Sequence, residues 1–109
     1  MPPKPKFTKK EIILAAIDIT RNEGFNAISA RVLGKKLGSS SKPIFSVFEN
    51  MEEVQTAVVE YAKETYNQYI QKGILQADSN VPRCKYIGQQ YIKFAIAEPK
   101  LFQLLFMKE

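Results

Sequence analysis

Apolar positions along this chain recur three and four residues apart, the period that gathers them on one face of an α-helix. The first such stripe is Ile12, Ala16 and Ile19, with Ile13 and Ile17 beside it. Thr8 precedes it with Glu11 three residues on, the pairing of a capping box, and Gly24 stops it. Phe25 and Ile28 follow in a short link and are expected to fold under the helix as core. A second helix is expected after Ser29, a good N-cap, through ARVLGKKL to Gly38, a C-terminal stop. Leu33 and Leu37 form its buried edge. Gly34 lies on the neighbouring line, where the absent side chain lets another helix approach, at a cost of about 1 kcal/mol in helix propensity.

Three serines, Ser39 to Ser41, lead into a third, short helix at about residues 40–48 that contains KPIFSVF. Pro43 is tolerated only in a first turn, so the helix is expected to start at Ser40 or Ser41. Ile44 and Phe48, four apart, then point inward, leaving Ser41, Lys42, Phe45 and Ser46 on the outer side. Asn50 with Glu53 makes a second capping box, opening a long helix from Met51 to about Lys72. Its stripe is Val54, Val58, Tyr61, Ala62, Tyr69 and Ile70. Gly73 and ADSNVP read as the next break. A fifth helix is expected from about Arg83 to Ala97, with Cys84, Ile87, Tyr91 and Phe94 on one side. After Glu98 and Pro99 comes a last apolar segment, LFQLLFM. The fold class is therefore all-α.

At 109 residues, with 45% hydrophobic and 25% charged side chains, the chain suits one compact domain, or a small domain with part of a second. Its net charge of +5 is segregated. Residues 1–50 carry nine basic and four acidic side chains, a difference of +5, and residues 51–109 carry seven of each. A module facing a polyanion joined to a neutral module has this distribution, and so does a charged surface with a chance asymmetry. The start, MPPKPKF, lacks the apolar stretch of a signal peptide and reads as a flexible basic arm over residues 1–7.

Cys84 is the only cysteine and histidine is absent, so no intramolecular disulfide and no usual Cys/His metal site can be written. A lone cysteine suits a reducing cytoplasm and reads as a small buried hydrophobe. Apolar runs such as IILAAI fall far short of the ~20 residues that cross a bilayer. With no histidine, no metal cluster and no phosphate-cradling glycine loop, an enzyme is not expected, and neither is a cofactor.

Two short helices joined by a tight turn, with a leading helix to pack on, form the arrangement that holds one helix out for the major groove. The order of residues from Ile12 to Val54 resembles the DNA-binding domain of the tetracycline-repressor (TetR) family. The matching features are Gly24-Phe25 closing the first helix, Ser29 and Arg31 around the start of the second, and Gly38 at the turn. Ile44, Phe45 and Phe48 stand in the pattern of the third helix, and NMEEV opens the next.

That resemblance implies a homeodomain-like helix-turn-helix domain over 8–50 and a partial helical ligand-binding and dimerisation domain over 51–109. It assigns Arg31, Ser41, Lys42, Pro43 and Phe45 to the DNA-facing surface, with Ser40 and Ser46 beside them. Lys9, Lys10, Lys35 and Lys36 add phosphate attraction if they face the same side. Two departures weaken the contact map: Phe45 stands where the family usually has tyrosine, and Met51 where it usually has lysine. In the family the regulatory helices continue further, so a fragment of a longer regulator is expected.

Tyr61, Tyr69, Tyr91 and Phe94, with Tyr66 and Tyr86, are candidates to line a pocket for a small apolar effector, and equally read as ordinary core. The function expected is a ligand-responsive repressor, working as a homodimer on a palindromic double-stranded operator in the cytoplasm, without a membrane partner. The alternative is a helical protein–protein interaction module without direct DNA binding, in which the apolar faces after residue 51 take the partner.

Overall fold

The computed structural model describes residues 6–75 and 82–107. The first five residues of the basic arm and residues 77–81 of the ADSNVP break lie outside the described residues. Five α-helices account for the described chain, which holds no strand: α1 (Lys9–Glu23), α2 (Ala30–Lys36), α3 (Met51–Leu75), α4 (Arg83–Ala97) and α5 (Pro99–Phe106). Short 3-10 turns lie at Phe25–Ala27 and Ile44–Ser46. Two compact units divide at residues 58 and 59, inside α3. No helix among the described residues is long and apolar enough to cross a membrane.

The first unit is bounded by local devices that the sequence spells out. Thr8 Oγ1 accepts from the Glu11 N–H at 3.1 Å while Glu11 Oε1 accepts from the Thr8 N–H at 3.1 Å, closing the capping box of α1. Gly24 ends that helix at φ 97°, ψ 160°, a conformation closed to side-chain-bearing residues. Ser29 Oγ caps α2 by accepting from the Val32 N–H at 3.1 Å. At the far end the Gly38 N–H donates to Lys35 O and the Ser39 N–H to Gly34 O, a Schellman closure with Gly38 at φ 73°. Asn50 Oδ1 accepts from the Glu53 N–H at 3.0 Å, and Glu53 Oε1 reaches one residue further back than a capping box requires, to the Glu49 N–H.

Ile12, Ala16, Ile17 and Ile19 of α1, Leu33 of α2, Ile28, Ile44 and Phe48 of the links, and Val54 and Val58 of α3 are the buried apolar residues of this unit. Full burial of an aliphatic side chain is worth roughly 1.5–3 kcal/mol, so this set dominates the unit's stability. Phe25 and Leu37 are only half-buried. Thr20 is also buried, and its hydroxyl is satisfied by donating to Ala16 O at 2.9 Å.

The third helix takes a different form from the one expected. The N–H groups of Ile44, Phe45, Ser46 and Val47 donate to the carbonyls of Ser41, Lys42, Pro43 and Ile44, all i to i+3, and only the Phe48 N–H makes an α-type bond, to Ile44 O. The segment is a 3-10 turn. Between Pro43 and the Asn50 cap there is too little chain to repay α-helix nucleation, and β-branched Ile44 and Val47 lower the propensity further. Burial nevertheless follows the four-residue spacing: Ile44 is 0% and Phe48 5% exposed, while Lys42 is exposed and Phe45 is 44% exposed.

In the second unit, two expectations are overturned. Gly73 does not break the chain; it lies buried inside α3, which continues to Leu75. A Cβ there would stand 2.2 Å from Gln90 Cγ, so the missing side chain makes room for α4. The buried line of α4 runs through Gln90 and Phe94, leaving Ile87 and Tyr91 partly exposed and Cys84 exposed rather than buried.

Candidate nucleic-acid interface

The turn between α2 and the 3-10 segment owes its path to Gly34. A Cβ at Gly34 would lie 2.9 Å from Ser40 C and O, closer than real Cβ atoms come to backbone, and a tight 3.1 Å from Ser41 N. The close approach expected at this glycine is therefore real, but it is made by the serine loop and not by a helix. With Gly38 fixing the reversal, the loop folds directly onto α2. Ser40 Oγ then accepts from the Lys42 N–H at 3.4 Å, and Ser41 O takes the first bond of the 3-10 turn.

An open cleft of about 670 Å³ results, lined by Arg31 and Lys35 from α2 and by Gly38, Ser39, Ser40 and Ser41. Arg31 and Lys35 are one helical turn apart and both exposed. No carboxylate lines the cleft among the described residues. From the described end of the arm, Lys6 Nζ donates to Ser39 Oγ at 3.4 Å. Lys42, Pro43, Phe45 and Ser46 lie outside the cleft lining, along the 3-10 turn. Since residues three apart eclipse in that geometry, exposed Lys42 and Phe45 share one edge of it.

Two further cations of this unit, Lys36 and Lys9, are engaged elsewhere. Lys36 pairs with Asp18, tying α2 to α1. The hydrogen bond from Lys36, then its charge, hold the Asp18 carboxyl below the usual carboxylate range, with a smaller contribution from Arg21 and with desolvation opposing. Lys9 places Nζ 5.6 Å from the centroid of the Phe48 ring. Lys35 and Lys36 are adjacent in sequence yet have different surroundings, which neither composition nor periodicity distinguishes. The hydrogen bond of Lys6 to the serine loop carries no sequence signal at all.

Of the aromatic candidates of the second unit, Tyr66, Tyr69, Tyr91 and Phe94 meet in one cluster, with Tyr61 outside its ring pairs. Tyr66 contacts Phe94, Phe106 and Tyr91 edge-on at centroid distances of 5.2, 5.1 and 6.4 Å. Tyr69 meets Phe94 at 5.5 Å, and Tyr91 meets Phe102 at 5.0 Å. Burial, and secondarily Tyr91, push the Tyr66 phenol above its usual value. Phe102 and Phe106, absent from the candidate set, belong to the cluster; their spacing in LFQLLF on the short α5 was the available signal.

No family model, no curated protein and no solved structure shows significant similarity to this chain.

Proposed function

We propose that the protein is a sequence-specific DNA-binding transcriptional regulator of the helix-turn-helix class, similar to the TetR family and acting as a repressor. The observation that carries this reading is the combination of cations and an anchored reading edge. Arg31, Lys35 and Lys42 make no ion pair among the described residues and surround a loop locked against Gly34. Beside them Lys42 and Phe45 are held out while Ile44 and Phe48 are sunk in the core. Exposed cations on a rigid turn attract phosphates, and a short protruding segment can enter a groove roughly 12 Å wide.

In this reading Arg31, Ser40, Ser41, Lys42, Pro43, Phe45 and Ser46 face the duplex. One such segment spans few base pairs, so a homodimer on inverted half-sites supplies the specificity, in the cytoplasm where the operator lies. A small apolar effector acts through the aromatic cluster around Tyr69, Tyr91 and Phe94. Selection of bound duplexes from a random pool by the purified chain tests the proposal: an inverted repeat should emerge, and a pool that stays unenriched rejects it.

One observation favours a second reading, the protein–protein interaction module. On α4, Ile92 and Ile96 are 58% and 77% exposed, and Met107 beyond α5 is 61% exposed. An apolar contact made there would hold its affinity as salt rises, which a phosphate contact does not.

A further inference from the structure

The cations near the serine loop divide by position into two groups. Arg31 and Lys35 line the cleft together with Ser39, Ser40 and Ser41. Lys6 reaches the cleft's Ser39 hydroxyl from the arm. Lys42 and Phe45 instead stand on the edge of the 3-10 turn, outside the lining. Cleft and edge thus present different chemistry. The cleft offers a planar guanidinium, an ammonium and hydroxyls, with no carboxylate among its described lining residues, a donor set that suits the oxygens of a phosphate. The edge offers one cation and one ring on a projecting turn, which suits base edges and a thymine methyl.

We propose that the cleft is a seat for a single phosphate group, held by Arg31 and Lys35 with Lys6 closing over it from the arm, and that sequence discrimination belongs to Lys42 and Phe45. The assignment to DNA backbone rests on the regulator reading above, whereas the phosphate chemistry of the cleft does not. The seat is rigid because its floor is the Ser40–Ser41 backbone pressed onto Gly34 and closed by the Schellman bonds. Lys36 serves as an internal control: it follows Lys35 directly, but its charge is committed to Asp18. Phosphate contacts fix position without reading sequence, and contacts to base edges do the reverse, so the two groups should fail differently when altered.

Two measurements on the whole chain test this. In the first, inorganic phosphate is titrated at constant ionic strength while amide and guanidinium resonances are followed by NMR. Saturable shifts at the Arg31 Nε–H and the Ser39 to Ser41 amides, lost in Arg31→Gln, are expected. In the second, affinities for a selected duplex and a scrambled one are measured against salt. Arg31→Gln and Lys35→Gln should each lower the salt slope by about 0.9 and weaken both duplexes equally. Lys36→Gln should leave the slope alone, and Phe45→Ala should reduce the ratio between the duplexes. Phosphate shifts without any duplex binding would uphold the cleft and sink the regulator reading. Duplex binding with no phosphate shifts, and with Arg31→Gln and Lys35→Gln changing the ratio rather than the slope, would overturn the cleft and leave that reading standing.

Discussion

The Ser40 carbonyl group occupies the space where Gly34 would carry a Cβ, with both its atoms 2.9 Å from that point. This contact decides where the serine loop runs, and with it the placement of every candidate DNA-facing residue after Arg31. Gly34→Ala sets two effects against each other. Alanine gains about 1 kcal/mol in helix propensity, but it forces backbone apart at a cost of roughly 1–3 kcal/mol. The expected balance is a loss of stability of about 1 kcal/mol, together with a loss of duplex affinity at concentrations where the variant is fully folded. Urea unfolding and duplex titration on the same preparation check both; a more stable variant with unchanged affinity would remove Gly34 from the argument.

Gly88 is the counter-example. It lies in α4 with nothing within 4 Å of a Cβ and without a positive φ. Gly88→Ala should therefore stabilise the protein by about 0.4–1 kcal/mol, read as a rise in the urea midpoint. A lower midpoint would mean that the environment of α4 is misjudged.

The Asp18–Lys36 pair predicts a pH dependence. The folded-state value of Asp18 is lowered, so its contribution to stability is present above the value in the unfolded chain and disappears as pH falls through the lower folded value. The effect is small because the pair is solvent-exposed and screened. An NMR titration of the Asp18 carboxyl should show its midpoint move upward in Lys36→Gln. An unmoved midpoint would mean that the pair does not persist in solution.

Phe94 is fully buried among Tyr66, Tyr69 and Phe102. Phe94→Ala should cost about 3–5 kcal/mol, whereas Phe45→Ala, at a 44% exposed position, should cost far less. Paired denaturation curves decide the ordering, and equal losses would contradict the assignment of Phe45 to an outward edge.

Devices that act within a few residues were legible in the sequence. Thr8 with Glu11, Ser29 before Val32, Gly24 and Gly38 each satisfy or reverse the backbone locally, and each does what its residue type and spacing indicate. What escaped depends on partners distant in sequence. Gly73 looks the same whether it stops a helix or admits Gln90, and only the second unit's packing separates the two. Spacing puts Cys84, Ile87, Tyr91 and Phe94 on one side of α4, but packing buries only Phe94 of these and adds Gln90. The turn at Ile44–Ser46 kept the predicted burial and lost the predicted winding, since burial depends on which positions are apolar and winding on how much chain is left to nucleate. In the candidate site, Arg31 and Lys42 stand out by type and position, while the pairing of Lys36 but not Lys35 with a carboxylate among the described residues does not.

If exposed cations and a projecting edge make a sequence-specific DNA reader, its affinity must depend on salt and on sequence together. The purified chain is titrated with its best selected duplex and with a scrambled duplex of equal length between roughly 50 and 200 mM salt, the range over which phosphate contacts lose strength steeply. Log affinity should fall linearly with log salt on both duplexes. The selected duplex should be preferred by about a thousandfold or more across the range. Affinity indifferent to salt, or equal for the two duplexes, would contradict a sequence-specific DNA reader.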